Sequence, residues 1–264
     1  MIKKGLLTAL CFGIGLAVTV PSAWAVALSD VINTLETPFQ SGTDAEYRIF
    51  DYSANFFQES KIASLDRLQR ANGHLEVAFD YLAGQKGRTV PTVKFHWQYD
   101  SPTTQRIVSD GETMWVYLPE NNQVIQSNIE QINKADQNDP MAFLTGLGNL
   151  SRDFTISWAI PDQDADGNYV LEMSPRRTSS LINKLVIVVD QYAVARYLNR
   201  DQEERPGNRW FPILSTTVYD PSGNSTIIEF SNLRVNQGLP DTTFGFIIPA
   251  GVQVVRPTGK ETGF

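Results

Sequence analysis

Cysteine is almost absent from this chain, and histidine is scarce. The 264 residues include one cysteine and two histidines. Because Cys11 has no second cysteine to pair with, an internal disulfide is excluded, as is a metal site built from several thiolates. His74 and His96 are the only histidines, so histidine-dependent catalysis has few candidates. A hydrophobic core must hold the fold together, and a chain of this length can build one.

Long apolar runs are also missing, except at the N-terminus. There, two lysines precede an apolar run from Leu6 to Val20, and a small-x-small cleavage pattern ends at Ala25. The run is shorter than the roughly 20 residues that a spanning helix needs. We therefore predict a signal peptide over residues 1–25 and an exported protein, with an uncleaved anchor as the alternative. Cys11 lies inside the apolar run without an adjacent small residue, which favours an ordinary signal residue over a lipidated cysteine.

Basic charge is in deficit. The chain has 22 lysines and arginines against 29 acidic residues, a net charge of −7. Loss of the first 25 residues would remove Lys3 and Lys4 and bring the net charge to −9. Such a balance argues against nucleic acid as a partner and against adsorption to anionic lipid. No repeat, low-complexity segment or linker divides residues 26–264, which we expect to form one domain.

Alternating apolar residues dominate the rest of the chain and predict a mainly β protein. The clearest example is the strand in which Phe95, Trp97 and Tyr99 share one face. Both faces of Met114–Tyr117 are apolar, which suggests a sheet that holds something. Gly73 suggests a bulge or a sharp bend in its strand. The number of strands predicts a strongly bent sheet or incomplete barrel. The predicted strands are Tyr47–Ser60, Leu68–Tyr81, Thr92–Asp100, Gln105–Ser109, Thr113–Leu118, Gln123–Ser127, Asp153–Ile160, Tyr169–Ser174, Lys184–Asp190, Ile213–Tyr219, Thr226–Val235 and Thr243–Ile248.

Three segments depart from this pattern. Ala27–Thr37 has the apolar spacing of an amphipathic helix. Asn128–Leu150 contains Asp139-Pro140, a helix start followed by an apolar stripe. Gln191–Phe211 is polar and rich in charge, and we interpret it as a surface elaboration of a hairpin loop.

Four segments carry a family resemblance. They are Tyr52–Gln58 (YSANFFQ), Lys94–Tyr117 (with KFHWQYDSP and IVSDGETMWVY), Asp139–Phe154 (DPMAFLTGLGNLSRDF) and Phe230–Val255 (FSNLRVNQGLPDTTFGFIIPAGVQVV). Together they resemble the LolA outer-membrane lipoprotein carriers of Gram-negative bacteria, and they span nearly the whole predicted mature chain, in family order.

The resemblance implies a half-open antiparallel β-barrel with short helices that form a lid over an apolar cavity. Such carriers receive triacylated lipoproteins from an ATP-driven (ABC) inner-membrane complex. They shield the acyl chains in the periplasm and deliver them to an outer-membrane receptor of the LolB type. We accordingly expect a monomeric binding protein without catalysis, cofactor or metal.

Candidate site residues follow from the resemblance and from strand parity. Plain core packing is the alternative role for each of them. One departure from the family concerns its Arg-Pro before the Lys-Phe-x-Trp strand, whose arginine helps to latch the lid: here Val90 precedes Pro91, and the nearest arginine is Arg88. The candidate cavity wall is Phe56, Leu75, Val77, Phe95, Trp97, Met114 and Val116, and the candidate lid is Met141, Phe143, Leu144 and Leu147.

Other functions are weaker alternatives. A related lipid-binding barrel that senses envelope stress usually carries a further domain, and a carrier of another lipid would share the fold. A lipid hydrolase would need a nucleophile and base held together, and no such motif is present. Asp162, Asp164, Asp166 and Gly167 imitate the start of a calcium loop. The twelfth position is Met173, however, so we favour a polar hairpin turn.

Overall fold

A single large sheet organises the chain. Several predicted features lie outside the described residues: the signal peptide, Arg88, the helix start at Asp139-Pro140 and the lid residues Met141, Phe143 and Leu144. A computed structural model describes residues 26–82, 91–129, 147–179, 181–200 and 211–257.

Twelve strands form this sheet, in the order β12-β6-β5-β4-β3-β2-β1-β11-β10-β9-β8-β7, and it is not closed into a barrel. Neighbours pair antiparallel, except that β12 runs parallel to β6. The outermost strands are therefore β7 and β12. In chain order the strands are β1 (Asp51–Ile62), β2 (Arg67–Asp80), β3 (Thr92–Ser101), β4 (Gln105–Ser109), β5 (Thr113–Leu118), β6 (Gln123–Asn128), β7 (Phe154–Gln163), β8 (Tyr169–Pro175), β9 (Lys184–Val189), β10 (Ile213–Tyr219), β11 (Ser225–Val235) and β12 (Gln253–Val255).

Eleven of the twelve predicted strands are confirmed, with ends that differ by a few residues at most. The prediction of a strand over Thr243–Ile248 is wrong. Asp241–Phe244 forms a short 3-10 helix, and the last strand is β12, further along the chain. Alternating apolar residues had suggested a paired strand. The structure uses them instead to pack Phe244 and Phe246 without backbone pairing.

Helices cover the inner face of the sheet, defined here as the face that carries Phe56, Leu75 and Trp97. The predicted N-terminal helix is confirmed as α1 (Leu28–Glu36), with Val31 and Leu35 fully buried in the main core. A short helix, α2 (Leu150–Asp153), precedes β7, and α3 (Gln191–Leu198) precedes β10. Among the described residues, no helix combines the length and the apolarity needed to cross a membrane.

The described residues of Gln191–Phe211, which are residues 191–200 and Phe211, do not form the surface elaboration that the charge of the segment suggested. Its first part is α3, where Asp190 caps the helix by accepting from the Tyr192 amide. Val194 is fully buried in the main core, and the Phe211 ring lies 4.2 Å from that of Tyr52, centroid to centroid. Both ends of the segment thus belong to the core, although the charged residues around them hide this in the sequence.

The outer face of the sheet is covered in part by the segment that follows β11. The Phe246 ring lies 6.1 Å from that of Trp115 and 5.8 Å from that of Tyr117. This packing explains why both faces of Met114–Tyr117 are apolar. The second apolar face serves the chain's own C-terminal segment, so it is not evidence for a ligand.

Asp51 fastens that segment to the start of β1. Its carboxylate accepts hydrogen bonds from three consecutive backbone amides, those of Gln237, Gly238 and Leu239. Asp51 is itself buried, so the three donors supply the polar contacts that a buried carboxylate requires.

Gly73 lets aromatic rings of β1 and β3 meet across β2. It lies on the inner face between Phe56 and Tyr99, whose ring centroids are 5.0 Å apart. The predicted bulge is present, because the register with β3 shifts between Asn72 and Gly73. A Cβ at this position would collide with the Gln98 carbonyl and approach the Phe56 ring to 3.0 Å.

We expect Gly73→Ala to lower the free energy of unfolding by about 1–3 kcal/mol, because the added methyl group overpacks a site bounded by backbone. Gly42→Ala is the matched control, since nothing lies within 4 Å of a Cβ there. The control should change stability by less than about 1 kcal/mol. Denaturant midpoints measure both effects, and equal midpoints for the two variants would contradict the packing argument.

We also expect Asp51→Ala to destabilise the fold by about 1–3 kcal/mol, because it leaves three amides without their acceptor. Asp241→Ala is the control. It removes an exposed carboxylate that contacts Lys94 at 2.8 Å, and a surface ion pair contributes about 0–1 kcal/mol. Urea denaturation compares the two variants. If Asp51→Ala lost no more stability than the control, the three hydrogen bonds to Asp51 would not be what stabilises this part of the fold.

Candidate functional site

Five of the seven predicted cavity residues lie together on the inner face. Leu75 is opposite Trp97, and Val77 is opposite Phe95, in the register of β2 and β3. Phe56 on β1 reaches Trp97 with ring centroids 4.7 Å apart. All five are buried in one cluster with α1. The strand parity inferred from the sequence therefore places them correctly, while their role as a cavity wall stays a prediction.

Met114 and Val116 extend this inner face onto β5. Val116 is buried and lies opposite Ile107 of β4, which is in turn opposite Trp97. Met114 is partly buried and packs against the main core. Trp115 points to the opposite face, where Phe246 meets it. The parity of this strand, which the sequence left open, is thereby fixed.

Leu147 is the one candidate lid residue within the described part of the chain. It is 1% exposed and packs in the main core. The segment that it begins is fastened to α1, because Glu36 accepts hydrogen bonds from both the amide and the hydroxyl of Ser151. Gln40 also donates to the Gly148 carbonyl, at 3.2 Å. No pattern in the sequence predicts these contacts, which join residues more than a hundred positions apart.

One end of the inner face is polar, a feature that sequence reasoning missed. We call its four residues, Gln58, Ser60, Tyr99 and Thr226, the inner polar cluster. The Tyr99 hydroxyl donates to Gln58 Oε1 at 2.9 Å, and Gln58 Nε2 donates to Ser60 Oγ at 3.2 Å. Ser60 Oγ and Thr226 Oγ1 lie 3.0 Å apart. Gln58 and Ser60 have the same strand parity as Phe56, so parity alone would have placed them on this face.

The inner polar cluster adjoins the apolar wall directly. The Tyr99 ring meets that of Phe56 edge-on. Burial raises the pKa of Tyr99 to about 12, because ionisation is costly where water is excluded. The hydroxyl is therefore a neutral hydrogen-bonding group at ordinary pH.

The two histidines lie close to each other, which their separate positions in the sequence did not indicate. His74 and His96 lie on the outer face with ring centroids 6.2 Å apart, since neighbouring strands bring them together. His96 Nδ1 is 3.5 Å from Glu76, and His74 Nδ1 is 3.6 Å from Asp100. Burial lowers the pKa of His96. Within the described ranges, no three histidine, cysteine or acidic side chains are arranged to hold a metal ion.

The calcium-like motif forms a hairpin turn between β7 and β8. Asp164 Oδ1 accepts from the amides of Asp166 and Asn168, and Oδ2 accepts from the Asn168 side chain. These bonds lower the pKa of Asp164, although burial alone would raise it. Asp220 makes the same bonds in the turn between β10 and β11. Both carboxylates thus organise turns, which supports the hairpin interpretation.

Sequence comparison with known proteins identifies the family to which the chain belongs. Residues 49–202, more than half of the chain, match the family model of the outer membrane lipoprotein carrier protein LolA. An outer-membrane lipoprotein carrier protein of Methylobacillus flagellatus is 26% identical over 232 residues, which covers 88% of this chain and 91% of the relative. A protein of the same name from Bordetella avium is 27% identical and covers 75% of this chain and 87% of the relative.

Solved structures resemble the chain more distantly. A LolA superfamily protein from Nitrosomonas europaea has 16% identity and a TM-score of 0.36, over 84% of this chain and 99% of its own. A DUF1329 family protein from Desulfovibrio piger has 15% identity and a TM-score of 0.41, over 75% of this chain and 90% of its own. Likeness at this level carries no structural argument, so the family rests on the sequence match. The chain belongs to the LolA family of outer-membrane lipoprotein carrier proteins.

Proposed function

We propose that this protein is a periplasmic carrier that binds the acyl chains of lipoproteins released from the inner membrane and delivers them to an outer-membrane receptor. The observation that supports it is the inner face of an open sheet, where apolar side chains from neighbouring strands form one continuous surface under separate helices. Membership of the carrier family supports the same proposal.

The physical need for such a carrier is large. Each acyl methylene moved from a membrane into water costs about 0.8 kcal/mol. Three long chains would together cost on the order of tens of kcal/mol, so a lipoprotein cannot cross the periplasm unassisted at a useful rate. A protein surface that replaces the membrane around the chains removes most of that cost.

In this proposal the helices that cover the inner face move away, and acyl chains take their place on it. Phe56, Leu75, Val77, Phe95, Trp97, Met114 and Val116 would contact the acyl chains once the cover moves. Leu147, with Met141, Phe143 and Leu144, would belong to the part that moves. The apolar contacts of α1 and Leu147 with the main core would keep the inner face covered in the empty form, because an exposed apolar face invites aggregation.

The remaining elements of the proposal concern transport. Residues 1–25 would direct export, and residues 26–264 would act as one monomeric domain. An ABC-type complex of the inner membrane would supply the cargo, and a receptor of the LolB type would accept it. The protein would bind without catalysis.

Release from spheroplasts tests the carrier function. The purified protein, added to spheroplasts that are synthesising a triacylated lipoprotein, should bring that lipoprotein into the soluble fraction. The carrier removes the cost of exposing the acyl chains, so the released amount should increase with carrier concentration. Immunoblotting of the supernatant measures it. A supernatant free of cargo at every concentration would defeat the proposal.

Phe95→Glu should abolish release, because it places a carboxylate on the surface that would contact hydrocarbon. Phe57→Glu is the matched control, since Phe57 is 39% exposed on the opposite face of β1, and it should release cargo normally. Met114→Glu provides a second test at a partly buried position, where folding tolerates the charge better. Circular dichroism checks the fold of each variant. Normal release by folded Phe95→Glu and Met114→Glu would refute the assigned wall.

A further inference from the structure

We propose that the inner polar cluster binds the neutral ester and amide carbonyl groups that join acyl chains to the rest of a lipid cargo. This inference rests on the proposed carrier function and names a part of the cargo that the apolar wall cannot recognise. The cluster would hold the polar linkage at one end of the inner face, while the hydrocarbon lies along the remainder.

Its position supports this role. Along the inner side of β1, Tyr52, Ala54 and Phe56 are buried and apolar or aromatic, and the next two inward positions are Gln58 and Ser60. The polarity also changes on β3, where Tyr99 follows Trp97 on the inner face. Tyr99 is opposite Gln105 of β4. The inner face therefore changes from apolar to polar on β1, β3 and β4 at the same end of the sheet.

The hydrogen-bonding capacity of the cluster fits carbonyl oxygens. The Gln58 amide carries two N–H donors, and Ser60 receives one of them. The Ser60 and Thr226 hydroxyls share one contact although each carries a proton, so one of these protons is also available. A carbonyl oxygen accepts such donors and needs no proton in return.

The charge of the cluster selects among lipid groups. None of its four side chains is ionised at neutral pH, because the amide and the two aliphatic hydroxyls do not titrate there and a tyrosine hydroxyl ionises only at about pH 10 in water. Burial raises the pKa of Tyr99 further. A carboxylate or phosphate placed there would lose water without gaining an opposite charge. A neutral ester or amide requires only the hydrogen bonds that the cluster can give.

Contact with the apolar wall makes the two sites continuous. The Tyr99 ring lies edge-on to Phe56, and its hydroxyl joins the polar cluster through Gln58. One side chain thus marks the boundary between the two surfaces. A ligand with hydrocarbon on one side and carbonyl groups on the other would match this boundary.

Tyr99→Phe and Gln58→Leu test the inference by removing polar atoms while keeping the side-chain volume similar. The probes are a synthetic triacylated lipopeptide, a diacylglycerol and palmitate, each measured by displacement of a fluorescent fatty acid. We expect each variant to bind the lipopeptide about three- to tenfold more weakly. Gln58→Leu removes a donor to the cargo, and Tyr99→Phe removes the hydrogen bond that orients the Gln58 amide. Palmitate affinity should stay unchanged, because its chain needs only the apolar wall.

Gln98→Leu is the matched control, since Gln98 hydrogen-bonds Asp100 at the surface and its neighbours on β3 point inward. It should bind all probes as the native protein does. A loss shared by the lipopeptide and the diacylglycerol would assign the glyceryl ester carbonyls, and a loss confined to the lipopeptide would assign its amide.

Two results would overturn the inference and leave the carrier function standing. One is unchanged lipopeptide affinity in both variants. The other is a parallel loss of palmitate affinity, which would show that the cluster only supports the wall. If the native protein binds none of the three probes, the carrier function itself fails. Thermal melting of each variant confirms that the comparisons use folded protein, and Tyr99→Phe, which removes a single oxygen, is the smallest change among them.

Discussion

The whole structure depends on one constraint: the apolar inner face of the sheet must stay away from water. Alternation along β1, β2 and β3 sends every second side chain to this face, and the sheet cannot bury them by closing on itself. The chain therefore covers the face with its own helices, through residues such as Val31 of α1 and Val194 of α3. Each buried aliphatic side chain of this kind contributes about 1.5–3 kcal/mol, so the cover is a large part of the stability. A protein that carries hydrocarbon has the same requirement whenever it is empty.

The sequence predicts the sheet well because parity is a local property. Strands β4, β5 and β10 were predicted with the ends that the structure shows, and Phe95 and Trp97 lie where their alternation placed them. Alternation shows, however, that one face of a segment is buried. It does not show that the segment pairs with another strand. The stretch around Phe244 alternates because it packs against other side chains, so it was mistaken for a strand. For the same reason two apolar faces at Trp115 suggested a ligand where the chain supplies its own cover.

Contacts between distant residues were not predictable from the sequence. The hydrogen bonds between Glu36 and Ser151 join α1 to α2, and nothing in the sequence of either helix indicates the other as its partner. Helix α3 was missed because charged neighbours surround a few apolar residues, of which Val194 is the most buried. The meeting of His74 and His96 depends on the register of β2 against β3, which no single strand contains. Gln58 is different. Its place on the inner face could have been predicted from its parity with Phe56, and only its hydrogen-bond partners could not.

The two covers of the sheet are attached in different ways, and this difference supports the proposal that α1, in the inner cover, is the part that exchanges with cargo. The outer segment is fixed at both ends by directional bonds, first to the Asp51 carboxylate and then through β12. On the inner side, hydrogen bonds from α1 and its continuation to the sheet region gather near Pro38, whose carbonyl accepts from Ile49 and from the Tyr81 hydroxyl.

Beyond that point, α1 meets the sheet through apolar side chains, and the bonds at Glu36 and Gln40 join it to the segment after Leu147 rather than to the sheet. The other two helices are also bonded to the sheet region, α2 through Ser151 to Arg176 and α3 through Gln191 to Asp166. Apolar contact is not directional, so acyl chains could replace it without leaving polar groups unpaired. Helix α1, which is tethered near one end and held against the sheet elsewhere by such contacts, can therefore separate from the sheet without breaking a hydrogen bond to it. The wall that it exposes would then be the surface that binds hydrocarbon.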